Sequence, residues 1–303
     1  MANTLFDEPF IVAEKPRKPK AQAVKGFELS LMQKVQAGAL RATCLVMPRV
    51  ATEGAYFLFT RPRRKRLRYL SSLPAGATRF QLPFEQTNLV GYSWGTGPKK
   101  VLLMHGWEGQ VGTMLKFVEP LVDAGYQVIA MDGPGHGESG NITATVFDCA
   151  KGIELVMAHF GGVDRIIAHS FGSAAALFAC EDKIKLDKLV CISPMATLMS
   201  HVEVFHKLTH LTDEVLERLI RKIEERLNVK RESWNMINAA QKVTCPTLIV
   251  HDADDKIIPI DHGYTLVNRF PNGRLIRTQG LGHKRILKDP DVVQKIVEFL
   301  EIE

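Results

Sequence analysis

The chain has 303 residues, 46% hydrophobic and 24% charged, enough apolar material for a full core and more than the usual roughly 100–200 residues per domain. No run of about 18 apolar residues without charge occurs, which excludes a membrane-spanning helix of the usual length. Asp7 and Glu8 stand where a secretory leader would carry positive charge, so the expectation is a protein kept in the cytoplasm.

The net charge of +6 is unevenly placed. Met1 to Arg68 holds 14 Lys/Arg against 5 Asp/Glu, and the remainder holds 25 against 28. The densest part, Arg61-Pro62-Arg63-Arg64-Lys65-Arg66-Leu67-Arg68, is of a kind that contacts nucleic acid, anionic lipid or an acidic partner. Short basic runs also occur as solvated surface loops, and no nucleic-acid partner is expected. The five cysteines, Cys44, Cys149, Cys180, Cys191 and Cys245, include no C-x-x-C pair and sit mostly in apolar runs, so each reads as a small buried hydrophobe in a reducing compartment.

Along the chain, residues 11–25 are polar and aperiodic, as in a flexible lead-in. Leu29, Met32, Val35 and Leu40 recur at roughly helical spacing, so residues 1–68 read as a basic extension with one helix that docks on the core. Strands are expected over Thr78 to Leu82 and Asn88 to Trp94, the second ending in the turn signal Gly95-Thr96-Gly97-Pro98. From Lys99 short apolar runs alternate with helical patterns. Strands are expected at Val101 to Met104, Gln127 to Met131, Arg165 to Ala168, Leu189 to Ile192, Thr247 to Val250 and Leu275 to Arg277. Helices are expected around Thr113 to Ala124, Thr143 to His159, from Phe171, and near Pro290 to Leu300. Continuous Val/Ile/Leu strands mark a sheet covered on both faces, so the fold class is α/β, a mostly parallel doubly wound sheet over residues 69–194 and 241–303.

The alternation breaks over residues 195–240. Val215, Leu216, Leu219, Ile220, Ile223 and Leu227 share one helical face, with Thr212 or Asp213 placed to cap it. A helical insertion between consecutive strands reads as a lid, or as a surface excursion that does not touch substrate. Met195, Leu198, Met199, Phe205 and Trp234 are available as hydrophobic walls for an acyl pocket, with Met195 and Trp234 the substrate-binding candidates, or equally as core.

The stretch Ile166 to Ala176 passes from a buried strand to a small-residue helix through one corner, Ala168-His169-Ser170-Phe171-Gly172. That is the setting of a nucleophile elbow, with Ser170 held clear of the sheet on a strained turn and alanine in place of the usual first glycine. On these residues the chain from about Lys99 to Ile302 resembles the α/β-hydrolase superfamily, most nearly its serine esterases and serine aminopeptidase-like members. Three further segments carry the resemblance. Val101 to Gly109 resembles the family's His-Gly loop, Met131 to Ser139 its Asp-x-x-Gly-x-Gly-x-Ser turn, and Leu248 to Pro259 its acid loop ahead of the glycine-framed Gln279-Gly280-Leu281-Gly282-His283.

The resemblance implies a triad of Ser170, Asp255 and His283 in the chain order of this fold, with Asp254 and then Asp252 as alternative acids. It implies an oxyanion hole from the N–H groups of Trp107 and Phe171, whose donors stabilise the tetrahedral intermediate. His105, Asp132 and His136 are expected to be scaffold. His159, His169, His201, His206, His210, His251 and His262 read as structural, and His206 and His210, at i, i+4, lack the glutamate and third ligand a zinc site needs. The implied activity is that of a serine hydrolase cleaving a carboxylic ester or related acyl bond. An acyltransferase with the same triad, and a non-enzymatic binding protein acting through its basic arm, are the alternatives. No cofactor and no metal are expected, the partner is a small-molecule acyl substrate, and a homodimer stays open.

Overall fold

The computed structural model describes residues 31–63, 66–141, 143–180, 185–227 and 229–302, with only the backbone described for 31–34, 36 and 227. The lead-in at 11–25, Leu29, the Met32 side chain, Arg64 and Lys65 lie outside the described residues.

The centre is one eight-stranded sheet in the order β1-β2-β4-β3-β5-β6-β7-β8. Its strands are β1 (Thr78–Phe84), β2 (Thr87–Trp94), β3 (Lys99–Met104), β4 (Tyr126–Met131), β5 (Arg165–His169), β6 (Lys188–Ile192), β7 (Thr247–Asp252) and β8 (Gly273–Thr278). β2 runs antiparallel to both its neighbours, and from β4 to β8 every pairing is parallel. β5, β6 and β7 are buried along their whole length, because helices cover both faces.

Alternation along each strand divides the core into two layers. Leu102, Met104, Ile166, Ala168 and Cys191 face the layer closed by α4 (Val146–His159) and α5 (Phe171–Cys180). Val101, Leu103, Ile167, Val190 and Val250 face the layer closed by α3 (Val118–Asp123) and α11 (Pro290–Glu301). Capping sets the helix starts: Thr145 and Asp148 close a capping box on α4, while Asp289 accepts the Val292 N–H ahead of Pro290 on α11.

Between β6 and β7 stand α6 (Met199–Thr209), α7 (Asp213–Leu227) and α8 (Met236–Lys242), and between β7 and β8 the short α9 (Asp261–Val267). In α7, Val215, Leu219, Ile220 and Ile223 are buried along one stripe, as their spacing requires.

Two expectations need correction. Residues 31–60 hold two helices, α1 (Leu31–Val46) and α2 (Pro48–Thr60), broken at Pro48, which supplies no N–H and opens the second helix. Both pack on the core. Ala51, Ala55 and Tyr56 are buried in the same layer as Leu82 and Phe84. They also brace the insertion: Lys222 of α7 lies 2.6 Å from Glu53 and above the Tyr56 ring, and Phe59 sets its edge against Phe205. The expected helix over Thr113 to Ala124 is instead two 3-10 turns, Val111–Thr113 and Leu115–Phe117, followed by α3. Its start is tied down by the Val111 N–H bonding Asp132 Oδ1 at 2.6 Å.

Candidate active site

The site lies at the carboxyl edge of the sheet, where β4 and β5 fall on opposite sides of β3. Strand ends diverge at such a point and leave a crevice. Ser170 follows β5 directly, at φ +53°, left-handed for a residue with a side chain. Its N–H bonds Ile192 O at 2.8 Å, so the corner is fastened to β6 while the side chain is turned out of the sheet.

The corner is possible because both flanking elements come close. A Cβ on Gly172 would stand 2.9 Å from Met104 O, and one on Gly106 would stand 3.1 Å from Ser170 Cβ, so the close backbone approach of the loop after β3 to the start of α5 depends on glycine at both positions. That loop carries Trp107, whose ring meets Phe171 edge-on at 5.0 Å between centroids. Trp107 and Phe171 therefore flank Ser170 from β3 and α5 respectively.

Three side chains far apart in sequence form one hydrogen-bonded relay. His283 Nε2 is 3.1 Å from Ser170 Oγ, and His283 Nδ1 is 2.7 Å from Asp255 Oδ2. Asp255 Oδ1 accepts the N–H groups of Ile257 and Ile258 at 2.8 and 2.9 Å. Burial alone would raise the Asp255 pKa, but the bond and charge of His283 and the Ile258 N–H outweigh it and hold the carboxyl below its usual range. The other candidate acids are spent elsewhere. Asp252 is buried and accepts from Thr278 Oγ1 and the Leu281 and Asp254 N–H groups, bracing the His loop. Asp254 is exposed and accepts the Gly280 N–H at 3.0 Å.

Two histidines read from sequence as merely structural bear on the relay. His169 donates through Nε2 to His283 O at 3.0 Å, tying the elbow to the loop that carries the imidazole. Burial first, and then the neighbouring His283, push its pKa well down, so it stays neutral. His251 is fully buried, with Nε2 2.9 Å from Ile258 O and 3.7 Å from Asp255 Oδ2, and burial pushes it down to about 4. Neither was identifiable by spacing, since each acts through a neighbour's backbone. His105, Asp132 and His136 are embedded in hydrogen bonds of the loops: His105 accepts the Gly133 N–H, His136 the Glu108 N–H, and Asp132 both the Tyr69 hydroxyl and the Glu138 N–H. Among the described residues no group of three or more His, Cys, Asp or Glu is arranged to hold a metal ion.

The relay opens into a cavity of about 1100 Å³, with Ser170, Phe171, Trp107 and His283 in its wall. Met195 lines it, but Trp234 does not: its indole is buried in the core behind the wall, where its carbonyl accepts the Leu198 N–H at 3.0 Å. Leu198, Met199 and Phe205 likewise fall outside the lining. Large apolar side chains in an insertion cannot be divided by sequence between wall and packing, because both environments demand the same residues. Arg63, Glu108, Lys207, Lys284 and Lys288 belong to the lining and carried no sequence signal for it.

Residues 97–235 match the family model described as serine aminopeptidase, S33. A 2-hydroxy-6-oxo-6-phenylhexa-2,4-dienoate hydrolase of Comamonas testosteroni is 26% identical over 263 residues, 70% of this chain and 91% of that protein. An esterase of Pyrococcus furiosus superimposes with a TM-score of 0.62 at 19% identity, covering 80% of this chain and 97% of that one. The chain has the α/β-hydrolase fold.

A second structure, Est1E of Butyrivibrio proteoclasticus with ferulic acid bound, aligns with a TM-score of 0.58 at 18% identity, over 73% of this chain and 97% of that one. Among the described residues no helix is long and apolar enough to cross a membrane.

Proposed function

We propose that this α/β-hydrolase is a serine hydrolase that cleaves a carboxylic ester or related acyl bond through an acyl-enzyme on Ser170. The observation that carries the reading is the continuous Asp255–His283–Ser170 relay opening into a cavity large enough for an acyl group.

His283, held by Asp255 with Nδ1 protonated, has Nε2 available to take the proton of Ser170, whose alcohol is a weak nucleophile alone. Ser170 Oγ then attacks the substrate carbonyl carbon. The Trp107 and Phe171 N–H groups receive the negative oxygen, and each donor of this kind is worth about 2.7–4 kcal/mol of barrier. His283 returns the proton to the leaving alkoxide, and water, deprotonated by the same imidazole, releases the acid. The helical insertion α6–α8 acts as the lid over the acyl group, with α1 and α2 as its brace. An acyltransferase differs only in the acceptor that replaces water.

A second reading comes from the relatives named as 2-hydroxy-6-oxo-6-phenylhexa-2,4-dienoate hydrolases. In it the bond beside a ketone, rather than an ester bond, is hydrolysed by the same residues.

The test is a panel of 4-nitrophenyl esters with labelling by a fluorophosphonate probe. Turnover and labelling are expected in the native chain and are expected to vanish in Ser170→Ala. Labelling that survives Ser170→Ala would place the nucleophile elsewhere. A vinylogous diketone run beside the esters decides between the two readings.

A further inference from the structure

The lining of the cavity is divided by polarity. Its buried members are largely apolar, among them Phe171, Met195, Ile258 and Leu287, whereas its charged members other than the half-buried Glu108 are exposed and therefore sit at the mouth. Those charged members are Arg63, Lys207, Lys284 and Lys288 against Glu108 and Glu203, an excess of cations.

The excess is available to a ligand. Arg63 closes both its forks on Glu108, at 2.7 Å each, so that pair is spent on itself. Among the described residues no carboxylate pairs with Lys207, Lys284 or Lys288, although Glu203 and Lys207 stand four apart on α6. The turn α10 (Gly282–Arg285) sorts its own charges. Arg285 bends back to Gly280 O at 2.6 Å and does not line the cavity, while Lys284, and Lys288 in the turn that follows the helix, do. Lys284 follows His283 in the chain, and both residues line the cavity. Unpaired cations at the rim of an apolar cleft focus a positive potential on whatever enters.

We propose that the acyl group carries a carboxylate at its far end, bound by the rim lysines Lys284, Lys288 and Lys207, so that half-esters of dicarboxylic acids are preferred to neutral esters of the same length. This rests on the acyl-transfer reading of Ser170. The chain lies in the apolar wall, the terminal carboxylate stays at the wet mouth where its desolvation cost is small, and the ester carbonyl meets Ser170. One water is consumed, the acyl C–O bond breaks, and the products are the dicarboxylic acid and the alcohol. Each contact is exposed, so its gain is modest and screened by salt.

The experiment compares mono-(4-nitrophenyl) adipate with 4-nitrophenyl hexanoate on the full chain. The expected ratio of kcat/KM is about tenfold in favour of adipate, falling toward one as sodium chloride is raised to about 1 M. Lys284→Ala with Lys288→Ala is expected to remove most of that ratio, chiefly through KM. Arg285→Ala, which removes the same charge from the same turn outside the cavity, is expected to keep it. A native ratio at or below one, or equal loss of ratio in Arg285→Ala and the lysine variant, overturns the proposal while leaving acyl transfer intact. Turnover of neither ester, together with an unlabelled Ser170, overturns the acyl-transfer reading and this proposal with it.

Discussion

Asp255 Oδ2 stands 2.7 Å from His283 Nδ1, and its other oxygen is held by the Ile257 and Ile258 N–H groups. One carboxylate is thus fastened at one end and directed at the imidazole by the other. Asp255→Asn is expected to keep the fold and lower kcat by about 10⁴, the effect of reversing the imidazole tautomer. Asp254→Asn, at an exposed position, is expected to change kcat by less than about threefold, since surface substitutions away from packed features are near neutral. Steady-state kinetics on one ester decide it, and equal losses in the two variants would reject Asp255 as the acid.

Ser170 holds φ at +53°. A side chain in that region costs of order 1–3 kcal/mol, a strain tolerated for the position it gives the hydroxyl. Ser170→Gly and Ser170→Ala are both expected to be inactive, but the glycine variant should unfold about 1 kcal/mol harder than the alanine variant. Urea denaturation of the two variants measures this, and a more stable alanine variant would show the corner to be relaxed.

His251 is buried beside Asp255 with its pKa pushed down to about 4, against an ordinary 6.5. The unfolded chain therefore takes up this proton first as pH falls, and the folded chain only near pH 4. Stability is complete above pH 6.5 and declines between 6.5 and about 4, by about 3 kcal/mol for this group. Urea unfolding at pH 7 and 4.5 is expected to show His251→Gln losing about 2–3 kcal/mol less than the native chain over that interval. An unchanged pH dependence would mean that the imidazole is already charged in the fold.

Gly172 meets the backbone of the β3 loop with no space for a methyl group, a Cβ there lying 2.9 Å from Met104 O. Gly172→Ala is expected to cost about 1–3 kcal/mol and to push the Trp107 loop away from Ser170. The paired readout is thermal unfolding with kcat: a loss of stability with unaltered turnover would mean that the loop relaxes without moving the donors.

The sheet was legible from sequence because burial on both faces forces unbroken Val/Ile/Leu runs, as at Ile166 to Ala168 and Leu248 to Val250, and these ended within a few residues of the observed strands. The short extra helix Pro48–Thr60 was not legible, since Ala51, Ala55 and Tyr56 are too mixed in size to form an apolar stripe. Trp234, a substrate-binding candidate that sequence left open between wall and core, backs the cavity wall, because hydrophobicity does not distinguish lining from backing.

What the amino-acid order determined by itself was local: where the chain extends, where it must turn, and that Ser170 stands at a corner only small neighbours permit. Which carboxylate serves His283, which histidines stay neutral, and which cations remain unpaired at the mouth were decided by tertiary structure alone. These are properties of distance and burial between groups dozens of residues apart, and such distances exist only once the sheet has brought its strand ends to one edge.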